Sequence, residues 1–383
     1  MSIGWNFDNT YRELSSDFYS EVEPAPVEKP ELALLNRRLA DELGLDLSEA
    51  DPAELSSIFT GNRLPEGAEP ISQAYAGHQF GHFTMLGDGR AIVLGEHLAP
   101  GGQRYDIQFK GSGRTPYSRS GDGRATLYSM LREYLISEAL YHLGIPASGS
   151  LAVAKTAMPV YRETVHPGAV LTRVASSHIR FGTFEYAARF LSIEKRQELL
   201  SYTISRHYPE LKDSDQQALG LLRRVADKHL NLVTEWMRVG FIHGVMNTDN
   251  MSISGESIDF GPCAFMNGFA PATAFSSVDI NKRYAFNNQP GIAQWNLAIF
   301  AGTLLPFIHK NENKAREAAQ EVIETFETRF KEEWYRLMAK KLGFQQVGRS
   351  EKELVDRLIT WMETNKADYT NTFLVIANPD QTP

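Results

Sequence analysis

The spacing of apolar residues changes several times along the chain, and each change predicts an element. After an extended Pro-containing connector over residues 22–30, Leu32, Leu34, Leu35, Leu39 and Leu43 recur at the spacing of one helix face, which predicts a helix opening at Glu31. From 71 to 96 the pattern is that of strands, with an apolar run at 91–94 directly after Gly87-Asp88-Gly89-Arg90. Tyr105, Ile107 and Phe109 then alternate with Asp106, Gln108 and Lys110, a strand over 105–110 with one apolar and one polar face. Leu127, Leu131, Leu135 and Leu140 mark a helix over 125–143 that stops at Gly144, with Pro146 beyond it. Strands follow at 151–155 and 170–175. Helices are expected at 213–239, 290–307, 311–342 and, as the last, 350–364. The pattern is α+β and divides into a helical extension over 1–60, a strand-rich lobe over 61–175 and a helical lobe over 176–383.

The stretch FIHGVMNTDNMSISGESIDFG, residues 241–261, carries the densest chemistry. Its middle reads as a β-hairpin turning at Ser254-Gly255, which brings Asn250 and Asp259 opposite each other. An amide oxygen and a carboxylate facing one point are what Mg²⁺ takes from a protein when phosphate oxygens and water complete its shell. Protein kinases use the catalytic-loop Asn and the Asp of Asp-Phe-Gly in this way. One position departs from that pattern. The kinase base stands five residues before the Asn, where this chain has Val245. Asp249 is the one carboxylate left in the loop to accept a proton. It serves either as that base or as a group that orients Asn250. On this reading, Asp259→Ala removes activity and leaves the apolar core and the fold intact.

Upstream residues fit the same scheme. A strand lysine, Lys110, followed by a mid-helix Glu133 is the arrangement that holds a phosphate-binding lysine in kinases. Arg173 stands in an otherwise largely apolar run, where burial is costly without an anion to meet it, and Arg180 follows a loop later. The two guanidinium groups either grip terminal phosphates or form salt bridges at the lobe junction. Gly87 and Gly89 lie between strands, where glycines serve a phosphate approach or a plain turn equally well. Together these features describe a two-lobed protein-kinase-like fold, with a β-rich N-lobe, a mainly helical C-lobe and the nucleotide between them.

Composition narrows the picture further. The chain has 383 residues, 42% hydrophobic and 22% charged, as a globular protein does. A formal charge of −8 and no Lys/Arg run longer than two leave no footprint for nucleic acid. The one cysteine, Cys263, excludes an internal disulfide and a multi-cysteine zinc site. The N-terminus has no targeting pattern and no apolar run reaches about 18 residues, so a cytoplasmic location away from membranes is expected.

Five blocks carry a family resemblance: YAGHQFGHFTMLGDGRA, KGSGRTPYSRSGDGRA, SSHIRFGTFE, HGVMNTDNMSISGESIDFGP and RYAFNNQPGIAQWNLA, spanning roughly residues 70–305. At these residues the chain resembles the selenoprotein O family of pseudokinase-like protein adenylyltransferases, and reads as a short, C-terminally truncated member without selenocysteine. The resemblance implies ATP bound in reverse of the kinase orientation, with the γ-phosphate buried, AMP transferred to Ser, Thr or Tyr hydroxyls of proteins and pyrophosphate released. It implies nucleotide contacts from Gly87, Gly89, Arg90, Lys110, Asp122, Gly123, Arg173 and Arg180. It further implies Asn250 and Asp259 as ligands of Mg²⁺, or of Mn²⁺ in its place, and Asp249 as the proton acceptor. Some members have a cysteine after Asp-Phe-Gly that pairs with one near the C-terminus; this chain has Phe275 there, which argues against redox control by that pair. A kinase-type phosphotransferase for small molecules or proteins, and an inactive nucleotide-binding protein, are the competing readings.

Overall fold

The computed structural model describes residues 3–378 and divides into two compact units, Met1–His207 with Thr248–Phe260, and Tyr208–Asn247 with Gly261–Pro383. The first is built on one antiparallel sheet. Its elements are β1 (Tyr19–Glu21), β2 (Glu31–Leu35), α1 (Arg37–Leu43), α2 (Pro52–Thr60), β3 (Ile71–Gln73), β4 (Ala76–Gln79), β5 (His82–Met85), β6 (Ala91–Leu98), β7 (Arg104–Lys110), β8 (Ala125–Thr126), α3 (Leu127–His142), β9 (Gly149–Tyr161), β10 (Val165–Ala175), α4 (Phe181–Phe190) and α5 (Ile193–His207). The sheet runs β1-β3-β6-β7-β10-β9-β2, with β8 also paired to β10, while β4 and β5 form a separate hairpin.

The helix expected from Glu31 begins six residues late. Residues 31–35 instead form the edge strand β2, whose Leu32, Leu34 and Leu35 pair with Ala154, Val153 and Ala152 of β9. Sheet pairing outweighs a spacing that suits a helix equally well. Asn36 then caps α1, its side chain accepting from the Leu39 amide at 3.1 Å. The first 60 residues are therefore not a purely helical extension, because they supply both edge strands of the sheet.

One face of the sheet packs Ile107, Phe109, Leu151 and Val170 against Leu39, Leu43, Leu55, Ile58 and Phe59 of α1 and α2. On the other face Val153 and Leu171 meet Met130 of α3. Helix α3 turns a different side inward than its leucines suggest: Leu135 is 65% exposed, while Met130, Glu133, Ser137 and Leu140 are buried. The polar face of β7 is buried as well, Asp106, Gln108 and Lys110 being at most 5% exposed. Fully buried polar residues on adjacent strands need partners, and those partners make the site described below.

The second unit is mainly helical: α6 (Gln217–Arg238), the two-stranded pair β11 (Phe241–Ile242) and β12 (Ala264–Phe265), α7 (Gln289–Ile308), α8 (Glu312–Lys341), α9 (Arg349–Asn365) and α10 (Tyr369–Ala377). Helix α10 lies beyond the segment expected to be last. Asp368 caps it, accepting from the Asn371 amide at 2.7 Å, and Tyr369 is fully buried. Helix α7 is long and apolar enough to cross a membrane, contrary to the expectation that no segment would be. Its Ala293, Leu297, Phe300 and Leu304 are buried where it packs on α6 and α8, and 39% of the apolar stretch is buried. An α+β chain with an antiparallel sheet in its N-terminal part and helices in its C-terminal part is the class the sequence predicts.

Candidate functional site

The segment Thr248–Phe260 belongs to the sheet-bearing unit and is held there by backbone pairing. Thr248–Asn250 make a 3-10 turn, and Met251 pairs with Ser257 across a turn closed by the Gly255 amide bonding to the Ser252 carbonyl at 3.1 Å. The fold-back at Ser254-Gly255 is present, but a single bridge replaces the expected pair of strands. The outer edge of the segment is used elsewhere: Phe181 donates to the Met251 carbonyl at 2.9 Å, and Ile253 donates to Ile179 at 2.9 Å. Asp259 follows in a left-handed conformation, φ +63°, which Asp tolerates better than most side chains.

Asp259 is the centre of a buried ion cluster. Its Oδ1 lies 2.6 Å from Lys110 Nζ and 2.6 Å from Arg173 Nη2, and its Oδ2 lies 2.6 Å from Arg180 Nη1. Glu133 of α3 accepts from Lys110 at 2.7 Å and from Arg173 Nε at 3.0 Å. Gln108, opposite Arg173 in the β7–β10 register, accepts from Arg173 Nη1 at 3.1 Å. Arg180 also donates to the Asp249 carbonyl at 2.7 Å and lies over the Tyr75 ring, 4.7 Å from its centroid. Lys110, Glu133, Arg173 and Arg180 are each at most 5% exposed.

The electrostatics follow from this geometry. Burial works against ionisation of Asp259, but Arg173, Lys110 and Arg180 outweigh it and hold the carboxyl well below its usual range. Glu133 is likewise lowered, with Arg173 and Lys110 overcoming burial. Burial, reinforced by the Arg173 charge, lowers the Lys110 ammonium. Three cations face two firmly ionised carboxylates, and the guanidinium and ammonium groups are of the kind that grips phosphate. Two further carboxylates lie at its margin. Asp88 is 4.0 Å from Arg180, and burial pushes it up to about 6 against the pull of that arginine. Asp249 is also pushed up to about 6 by burial, again opposed by Arg180. Its Oδ2 accepts from Gln79 Nε2 at 3.4 Å, and its buried Oδ1 has no hydrogen-bond partner among the described residues.

The other residues singled out in the sequence are placed differently. Gly87, at φ +130°, lies beneath Tyr117: a Cβ there would stand 2.3 Å from the ring. Packing against the 111–124 loop therefore requires this glycine. Gly89 and Gly123 touch the same loop through Tyr117 and Gly113. Arg90 is exposed, and its charge adds to the lowering of Lys110. Asp122 is not in the ion cluster; it pairs with Arg162 at 2.9 and 3.1 Å. Asp88, Gln108, Gln79 and Tyr75 escaped the reading of the sequence. For Asp88 a signal existed, since it stands inside the Gly87-Asp88-Gly89 turn.

A sheet lysine paired with a helix glutamate and joined also to the aspartate of an Asp-Phe-Gly sequence defines a kinase-like nucleotide-handling enzyme. The profile of the family described as Protein adenylyltransferase SelO matches residues 2–382. The chain belongs to that family. It is 57% identical over 373 residues to the protein nucleotidyltransferase YdiU of Nitrosococcus oceani, covering 97% of this chain and 76% of that one. It is 54% identical to the proteins of the same name from Brevibacillus brevis, covering 99% and 78%, and from Pelagibacter ubique, also 99% and 78%. A solved kinase domain of a Toxoplasma gondii rhoptry antigen covers 71% of this chain and 89% of its own at 12% identity and a TM-score of 0.28, too low to bear on the fold.

Proposed function

We propose that this protein transfers AMP from ATP to Ser, Thr or Tyr hydroxyls of other proteins and releases pyrophosphate, acting in a reducing, cytoplasmic setting. The observation that carries this reading is the separation of charge around residues 248–260. A buried cationic cluster of Lys110, Arg173 and Arg180 surrounds Asp259, while Asp249, with an unpartnered oxygen, sits at the cluster's edge through the contact of its carbonyl with Arg180. Cations that deep suit the most highly charged end of the nucleotide, the β- and γ-phosphates. The α-phosphate then lies toward Asp249, which takes the proton of the incoming hydroxyl as its oxygen attacks phosphorus and pyrophosphate leaves.

Asn250 and Asp259 offer an amide oxygen and a carboxylate, the class of hard oxygen donor that Mg²⁺ or Mn²⁺ takes. Among the described residues no group of three or more His, Cys, Asp or Glu forms a cage of its own. Asn250 and Asp259 would hold the ion together with the phosphates. When bound, it neutralises phosphate charge. Pyrophosphate formed in step with adenylylated protein is the expected result in a coupled assay. ADP formed in step with phosphorylated protein would overturn the reading in favour of a phosphotransferase, and no turnover would favour a binding protein.

Nucleotide direction has its own test. Arg180→Ala is expected to weaken ATP binding about 10- to 150-fold, the equivalent of one charge-assisted hydrogen bond of roughly 1.5–3 kcal/mol, and AMP binding far less. Calorimetric titration with both nucleotides checks it. Equal losses would contradict a buried γ-phosphate.

A further inference from the structure

The β4–β5 hairpin lies outside the ion cluster, yet its first strand packs directly on the turn that carries Asp249 and on α4. Its register pairs His78 with Phe83 and Gln79 with His82, and its tip, Phe80-Gly81, takes φ of +51° and +90°. A two-residue turn with both φ positive matches the twist of the strands it joins, so the hairpin is a defined unit. Two polar contacts fix it in place. The His78 amide donates to Thr248 Oγ1 at 2.7 Å, one residue before Asp249, and His78 Nδ1 lies 2.5 Å from Glu185 Oε2 of α4.

Two residues of β4 then meet the Asp249 carboxylate itself. Gln79 Nε2 donates to Oδ2 at 3.4 Å. Gly77 lies against the other oxygen: a Cβ at this position would stand 2.5 Å from Oδ1 and 2.9–3.0 Å from Cβ and Cγ of Asp249. No real Cβ tolerates such contacts, and the carboxylate, on a side chain of only two torsions, would have to turn away. Glycine is needed here for room alone, since Gly77 has no positive φ. One carboxylate oxygen is thus engaged by Gln79, and the other is buried against the Gly77 backbone.

We infer that Gln79 and Gly77 are positioning residues for Asp249: the β4–β5 hairpin fixes the rotamer of the carboxylate by engaging Oδ2 through Gln79 and by packing the Gly77 backbone against Oδ1. The inference rests on Asp249 being the proton acceptor. Exchange of the transferred proton is unchanged by the hairpin, since Gln79 donates a hydrogen bond and loses no proton.

The test is a set of double-mutant cycles on the full chain, with kcat and KM for AMP transfer measured beside ATP affinity by calorimetry. Gln79→Ala is expected to lower kcat about tenfold and Gly77→Ala about a hundredfold or more, with ATP affinity within about twofold of the parent. In an Asp249→Asn background neither substitution should slow the residual rate further, because residues that act through one group are not additive with its loss. Additive losses in a slow Asp249→Asn background would overturn the role of the hairpin alone, as would losses of ATP affinity that match those in kcat. An Asp249→Asn protein as fast as the parent would overturn the assignment of the base, and this inference with it. Should Gly77→Ala fail to fold, the Gln79→Ala cycle decides the matter by itself.

Discussion

Asp259→Ala is expected to abolish AMP transfer and also to destabilise the protein by about 3–5 kcal/mol, the cost of breaking a buried ion pair and leaving its partner charged. The activity loss follows from removing a carboxylate that would hold the ion at the phosphates. The stability loss follows from the cluster. Asp259 pairs with Lys110, Arg173 and Arg180 at once; without it Lys110 and Arg173 are left with Glu133, and Arg180 with Asp88 at 4.0 Å. The sequence alone suggests that this substitution spares the fold, and the geometry corrects that expectation. Thermal and denaturant unfolding of the variant, with and without added anions, checks it. Stability equal to the parent would show that the cluster does not hold the unit together.

Asp249→Asn is expected to act differently, binding Mg·ATP nearly as well as the parent and transferring AMP at least about a hundredfold more slowly. The side chain of Asp249 meets Gln79 and none of the cluster cations; its link to Arg180 is through the backbone carbonyl, which Asn keeps. Asn also preserves the volume beside Gly77, so the change removes basicity with little change of shape. If Asp249 instead orients Asn250, the variant should need more Mg²⁺ and recover when it is supplied. Rates measured across Mg²⁺ concentrations, together with nucleotide affinity, separate the two. Recovery at high Mg²⁺ would assign Asp249 the orienting role.

How far the site was legible depended on the range of each interaction. Lys110 and Glu133 lie on elements whose periodicity is written locally, and their pairing follows once the strand and helix pack as such elements do. Arg173 was legible through its apolar neighbours, because a buried guanidinium demands an anion. That its anions are Glu133 and Asp259 together depends on register and on the left-handed turn at Asp259, which no local pattern records. Residues 31–35 were misread because leucines at 32, 34 and 35 suit a helix face and an edge strand alike, and pairing with β9, over a hundred residues away, decides between them. Gly77 and Gln79 were invisible for the same reason, since their meaning lies in a contact with residue 249.

The central claim is that the α-phosphate, and not the γ-phosphate, meets the acceptor. Parallel reactions with α-labelled and γ-labelled ATP, run with the parent and with Asp249→Asn and resolved by protein, test it most directly. Label should pass to protein from α-labelled ATP alone, and be lost in the variant. Label arriving from γ-labelled ATP would contradict the account.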